Sequence, residues 1–111
     1  MFSFLAKLLG GGEGPARIDP RQARDRVAQG AVLLDVRTEA EFGAGHIPGA
    51  LNVPVAELPR RTEEIDGSKG VVVYCRSGGR SARAASILRH AGIEDVHDLG
   101  PMSAWPREEA P

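Results

Sequence analysis

Two short and almost entirely apolar runs of residues constrain the fold of this chain more than any other feature. They are Ala31-Val32-Leu33-Leu34-Asp35-Val36 and Val71-Val72-Val73-Tyr74, and both are rich in β-branched side chains. An apolar run without polar alternation is typical of a strand buried on both faces, as in a parallel sheet covered by helices. The sequence therefore predicts an α/β fold, with a central, mostly parallel sheet and helices on both of its faces.

The segments around these runs carry helix signals. Asp19-Pro20 has the form of an N-cap followed by proline at the first helical position, and the helix that it begins is expected to stop at Gly30. Thr38 and Glu41 have the spacing of a capping box, which predicts a short second helix. Residues 80–90 place apolar side chains at helical spacing and predict a third helix.

Weaker patterns fill the rest of the chain. Residues 51–53 and 95–99 are strand candidates, and residues 56–65 favour a weak helical segment that Pro59 interrupts. Strands that alternate with helices form sheets that bind ligands at the carboxyl ends of the strands. A functional site is therefore expected at that edge.

Composition limits the possible functions. The 111 residues, 41% of them hydrophobic, fit one domain with one core. The formal net charge is -1, so no overall positive field exists to bind nucleic acid. Cys75 is the single cysteine of the sequence, which excludes an intramolecular disulfide, a Cys-x-x-Cys redox pair and a zinc site built from several thiolates.

The two ends of the chain differ from its body. Residues 1–14 contain an apolar segment and a Gly-rich linker, residues 15–107 are the expected domain, and residues 108–111 are a tail. The apolar segment is shorter than the roughly 20 residues that a membrane span needs, and Lys7 within it does not fit a secretory signal. We therefore expect a cytoplasmic protein. Packing of residues 1–14 on the domain, on a partner or on a membrane surface stays open as an alternative.

Cys75 directly follows the second apolar run, and the residues after it are Arg76-Ser77-Gly78-Gly79-Arg80-Ser81. A strand, a Gly-containing loop and a helix start direct successive backbone N–H groups into one concavity that binds anions. The two glycines are expected to permit the tight curvature of this loop. With the two arginines beside it, the thiol is expected to be partly thiolate at neutral pH.

The alternative is a structural thiol that merely ends a strand. Core packing, however, explains neither two arginines nor two adjacent glycines after Cys75. The loop is therefore the candidate site and Cys75 the candidate nucleophile.

The length of the loop separates sulfur chemistry from phosphate chemistry. Protein tyrosine phosphatases use a comparable loop but place an arginine six positions after the cysteine, whereas Arg80 is five positions after Cys75 and position 81 is serine. A shorter loop forms a smaller ring of N–H donors, which suits a sulfur atom on the cysteine better than a phosphoryl group. A small cysteine-dependent phosphatase or arsenate reductase is the weaker alternative.

Further motifs precede the loop: Asp35-Val36-Arg37, Glu41-Phe42, Gly45-His46-Ile47-Pro48-Gly49-Ala50 and Asn52. In this combination the chain resembles a single-domain rhodanese, a thiosulfate sulfurtransferase, from about residue 18 to residue 105. The resemblance implies the three-layer sandwich of that family. Gly100-Pro101 departs from the Gly-Gly pair that often stands ahead of the family's tryptophan, which bears on the backbone path there.

The resemblance implies a double-displacement mechanism. Cys75 would take the outer sulfur of thiosulfate or of another sulfane-sulfur donor and pass it to cyanide or a thiol, with no metal and no organic cofactor. The N–H groups from Arg76 to Ser81 would stabilise the persulfide. Arg80, and less directly Arg76, would orient the anionic donor. A sulfur carrier without turnover, or a docking module, is the alternative function.

Four further residues are expected to support the loop. Asp35 and Arg37 are predicted to form an ion pair with each other or with Glu41 that orders the loops around the pocket. His46 lies within a Gly-His-Ile-Pro-Gly turn and is expected to hold loop geometry, since attack by a preformed thiolate needs no general base.

Overall fold

In the computed structural model, which describes residues 17–107, the two apolar runs form neighbouring strands at the centre of a sheet. The four strands are β1 (Val32–Asp35), β2 (Leu51–Asn52), β3 (Val71–Cys75) and β4 (Val96–Pro101). Their order is β2-β1-β3-β4, and every neighbouring pair is parallel. The predicted α/β fold with a parallel central sheet is confirmed.

The three helices begin where the sequence signals place them. They are α1 (Pro20–Ala28), α2 (Glu39–Ala44) and α3 (Gly79–His90). Asp19 caps α1 by accepting hydrogen bonds from the backbone N–H groups of Arg21 and Gln22. Thr38 and Glu41 form the predicted capping box of α2.

Helices α3 and α1 cover opposite faces of the sheet. Helix α3 packs in one cluster with Val71 and Val73 of β3, whereas Ala23 of α1 packs in a second cluster with Val72 and Tyr74. Successive side chains of a strand point to opposite faces, so the two clusters are the two sides of one sheet. The result is a three-layer sandwich.

The segment between β2 and β3 differs from the expected helix. It forms three 3₁₀ turns, Leu58–Arg60, Thr62–Glu64 and Gly67–Lys69. Pro59 offers no N–H for a regular helical ladder, and the fully buried Leu58 fixes the segment to the core instead. The weak helical segment predicted over residues 56–65 is therefore present only as short 3₁₀ turns and not as an α-helix.

The last strand runs further than predicted. A register shift places Val73 of β3 opposite Asp98 and Tyr74 opposite Gly100, and the pairing continues from Cys75 to Pro101. Gly100-Pro101 thus extends β4 alongside the end of β3, and the departure from the Gly-Gly pair leaves the strand intact.

The first described residues, Arg17 and Ile18, run alongside the outer edge of β4. Arg17 forms an isolated parallel bridge with Asp98, and the N–H of Ile18 donates to the carbonyl of Asp98 at 2.9 Å. Within residues 17–107, no helix is long and apolar enough to cross a membrane. The predicted apolar segment with its linker and the predicted tail, residues 1–14 and 108–111, lie outside the described residues.

Candidate active site

Cys75 ends β3, and the loop that follows curls back over its sulfur. The N–H of Gly78 donates to Sγ of Cys75 at 2.9 Å. Gly78 is also the N-cap of the 12-residue helix α3, and its carbonyl accepts a hydrogen bond from the buried Ser81 hydroxyl at 3.0 Å. The sulfur therefore lies at a helix N-terminus, where free N–H groups and the helix dipole stabilise negative charge.

The two adjacent glycines of the loop have different roles. Gly78 has a φ of +112°, in the left-handed region, whereas Gly79 is the first residue of α3 and is not among the described glycines with positive φ. A Cβ on Gly78 would collide with Nη2 of Arg17, while a Cβ on Gly79 would meet nothing within 4 Å. The expectation that both glycines provide curvature is wrong for Gly79.

Arg80 is engaged by a carboxylate from another helix. Its Nη1 and Nη2 donate to Oε1 and Oε2 of Glu41 at 2.6 and 3.0 Å. The same Glu41 accepts from the Thr38 N–H at 3.1 Å. The hydrogen bonds from Arg80, and then from Thr38, lower the pKa of Glu41 to about 2. Arg80 thus lies beside the loop as expected, but its charge is balanced by Glu41.

Asp35 and Arg37 form a buried ion pair with each other at the end of β1. Nη2 of Arg37 lies 2.7 Å from Oδ2 of Asp35, and Nε lies 3.1 Å from both carboxylate oxygens. Arg37 also donates to the Gly45 carbonyl at 2.7 Å. The hydrogen bond with Asp35 raises the pKa of Arg37. The pair thereby connects the end of β1 to the loop that contains His46.

Two other contacts hold this region. The Nδ2 group of Asn52 donates to the carbonyls of Asp35 and Arg37, at 3.0 Å each. The N–H of Ile47 donates to the Tyr74 hydroxyl at 3.2 Å. Burial is the main cause that raises the pKa of Tyr74. Sequence reasoning assigned neither contact, since both join segments far apart along the chain.

His46 lies outside the sulfur site. Its ring stacks on Phe42 with a centroid separation of 3.7 Å, and Nδ1 lies 2.9 Å from the Phe42 carbonyl oxygen. This packing against α2 agrees with a role in loop geometry.

Arg76 and Ser77 are exposed on the loop.

Arg17 is the residue at this site that sequence reasoning missed. Its guanidinium lies against the backbone of both Gly78 and Gly100. The sequence held only an indirect signal for Arg17, namely glycine at the two positions where a side chain would collide with it.

Within residues 17–107, no group of three or more His, Cys, Asp and Glu side chains is placed to hold a metal ion.

Comparison with known proteins shows which family the chain belongs to. Residues 19–108 match the rhodanese-like domain family. A sulfurtransferase of Allochromatium vinosum is 40% identical over 97 residues, which cover 85% of this chain and 91% of that protein. Thiosulfate sulfurtransferase 16, chloroplastic, of Arabidopsis thaliana is 36% identical, over 87% of this chain and 92% of that protein.

A solved structure shows the same fold. The human single-domain sulfurtransferase TSTD1 superposes with a TM-score of 0.70 at 28% identity, and the match covers 87% of this chain and all of that one. A parallel three-layer sandwich with a cysteine loop between a strand and a helix defines the class of protein. The chain belongs to the rhodanese-like domain family. Its general type is that of a rhodanese-type sulfurtransferase.

Proposed function

We propose that this protein transfers sulfane sulfur from thiosulfate, or from a persulfide donor, to a thiol or cyanide through a persulfide on Cys75. The observation that carries the proposal is the 2.9 Å hydrogen bond from the Gly78 N–H to Sγ at the N-terminus of α3. Such a donor stabilises negative charge on sulfur, both in the thiolate and as charge shifts during transfer. The name of the Arabidopsis relative, a thiosulfate sulfurtransferase, supports thiosulfate as donor.

In the first half-reaction, the Cys75 thiolate attacks the outer sulfur of thiosulfate. A bond forms between Sγ and that sulfur, the sulfur–sulfur bond of thiosulfate breaks, and sulfite leaves with the electron pair. The product is a persulfide anion on Cys75. The N–H groups of the loop from Arg76 to Ser81, that of Gly78 among them, are the donors proposed to stabilise that anion.

In the second half-reaction, a thiolate or cyanide ion attacks the terminal sulfur of the persulfide. The bond to Sγ breaks, and Cys75 returns to the thiolate. Because Cys75 is the single cysteine of the 111 residues, no resolving thiol within them discharges the sulfur as a disulfide. The sulfur therefore leaves on an external acceptor. A single reactive thiol suits a reducing compartment, so we place this chemistry in the cytoplasm.

Burial restricts which donors reach the sulfur. Cys75 is 0% exposed, so a donor contacts Sγ only after side chains around the loop move aside. A small anion such as thiosulfate requires less movement than a bulky donor. The bidentate contact between Arg80 and Glu41 fixes the first turn of α3 to α2, which keeps the rest of the loop in place during this entry.

Steady-state turnover tests the proposal. With thiosulfate and cyanide, the protein should release sulfite and thiocyanate in equal amounts, and Cys75→Ser should abolish both products. A protein that loads one sulfur but does not turn over with cyanide or small thiols would be a carrier. Hydrolysis of an aryl phosphate that depends on Cys75, without sulfur transfer, would instead support the phosphatase alternative.

A further inference from the structure

Arg17 reaches the candidate active-site loop from the edge of the sheet opposite to Glu41. Its backbone pairs with Asp98 beside β4, and its side chain passes over Gly100 to Gly78. Arg80 lies on the other side of the loop, where it contacts Glu41 of α2. Two arginines from different parts of the chain therefore flank the loop.

The two glycines leave the space that the Arg17 side chain fills. A Cβ on Gly100 would lie 2.7 Å from Nε of Arg17 and 2.9 Å from Cδ and Cζ. A Cβ on Gly78 would overlap Nη2. Both glycines also have positive φ and are buried. The backbone at these positions and the guanidinium are thus in direct contact.

This contact places the guanidinium close to the sulfur. Gly78 contacts Arg17 where a Cβ would stand, and it donates its backbone N–H to Sγ of Cys75. With standard backbone dimensions, Nη2 of Arg17 therefore lies no more than about 8 Å from Sγ. That distance is within reach of a small anion that contacts both the sulfur and the guanidinium.

The charge of Arg17 is available, unlike that of the buried Arg37 and the half-buried Arg80. Arg37 is paired with Asp35 and Arg80 with Glu41. In the part of the chain that the structure describes, no ion pair joins Arg17 to a carboxylate. Arg17 is also exposed, so an incoming anion can reach it.

We propose that Arg17 determines the specificity of the site for anionic sulfur donors, by binding the oxyanion end of thiosulfate while its outer sulfur lies at Cys75. The planar guanidinium offers paired donors that match an oxyanion. This role rests on the proposed sulfurtransferase function, but it concerns binding and is measurable without turnover.

Equilibrium binding of thiosulfate to the Cys75→Ser variant tests the proposal, because this variant binds the donor without reacting. Titration calorimetry should show that Arg17→Gln in this background weakens thiosulfate binding about tenfold, the loss expected for one hydrogen bond to a charged group. The matched control is Arg60→Gln, which removes the same charge from an exposed side chain in the 3₁₀ turn Leu58–Arg60. Arg60→Gln should change binding less than twofold.

Two further variants separate recognition from a structural role. Arg17→Lys keeps the charge and should bind thiosulfate with an affinity between those of the parent and Arg17→Gln. Gly100→Ala should displace the guanidinium and weaken binding when Arg17 is present, with a much smaller effect after Arg17→Gln. Thermal unfolding of each variant shows whether a loss of affinity follows a loss of fold.

The proposal is overturned if Cys75→Ser binds no thiosulfate, if Arg17→Gln binds as tightly as Arg60→Gln, or if Arg17→Lys and Arg17→Gln lose affinity only in step with thermal stability. These outcomes are distinct from failure of the proposed function. Binding of thiosulfate through Arg17 without transfer of sulfur to Cys75 would support the role of Arg17 in binding and refute the sulfurtransferase mechanism.

Discussion

Arg80 and Glu41 join the first turn of α3 to the first turn of α2, through hydrogen bonds of 2.6 and 3.0 Å between the guanidinium and the carboxylate. Glu41 at the same time completes the capping box of α2 with Thr38. One carboxylate therefore stabilises a helix start and fixes the arginine of the cysteine loop. The loop arginine is thus held in place by the fold before any donor arrives.

The pH dependence of stability should report this contact. In the folded protein the pKa of Glu41 is lowered from 4.5 to about 2, first by the hydrogen bond from Arg80 and then by that from Thr38. The ionised carboxylate therefore stabilises the fold fully above pH 4.5, and this contribution is lost as the pH falls towards 2. Urea unfolding should show Glu41→Gln less stable than the parent at pH 6, with a difference that shrinks on acidification. A difference that stays constant from pH 6 to the acid limit of folding would contradict this assignment.

Alanine at the two adjacent glycines should have different effects on stability. Gly78→Ala forces a side chain into the left-handed region at a cost of about 1–2 kcal/mol, and its Cβ would also displace Arg17. Gly79→Ala adds a Cβ in open space at the start of α3, so its free energy of unfolding should equal that of the parent or exceed it by up to about 1 kcal/mol. Denaturant unfolding measures both. Equal destabilisation by the two substitutions would show that the loop backbone differs from that described.

Removal of the buried Arg37 should cost much more than removal of an exposed arginine. Arg37→Met leaves the carboxylate of Asp35, which is 0% exposed, without its partner, and breaking a buried pair in this way costs about 3–5 kcal/mol. The matched control is Arg26→Met, because Arg26 pairs with Asp95 in an exposed contact that is worth about 1 kcal/mol or less. The double variant Asp35→Leu/Arg37→Met should recover part of the loss. Similar unfolding free energies for the Arg37 and Arg26 variants would refute the buried pair.

The strands and helix starts that the sequence predicted correctly depend on local signals. The apolar runs that became β1 and β3, and the caps at Asp19 and Thr38, depend on residues only a few positions apart. Their geometry follows from the chain around them. For the same reason the position of Cys75, at the end of a strand and the start of a helix, could be predicted without coordinates.

Contacts between distant segments could not be predicted in this way. Asp35 and Arg37 were predicted to pair with each other or with Glu41; they pair with each other, and Glu41 pairs with Arg80, 39 positions away. That choice depends on how α2 and α3 meet at the carboxyl edge of the sheet. The contact of Arg17 with Gly78 depends on the path of the chain beside β4. The 3₁₀ turns after β2 follow from the burial of Leu58, which is a tertiary effect.

The mass of the intact protein shows whether Cys75 carries the transferred sulfur. The protein is treated with thiosulfate, freed of excess reagent and weighed, with Cys75→Ser treated in parallel. We expect the parent to gain the mass of one sulfur atom, located at Cys75 by peptide mapping and removed by cyanide, and Cys75→Ser to gain none. No added sulfur on the parent, or the same gain on Cys75→Ser, would contradict the proposed mechanism.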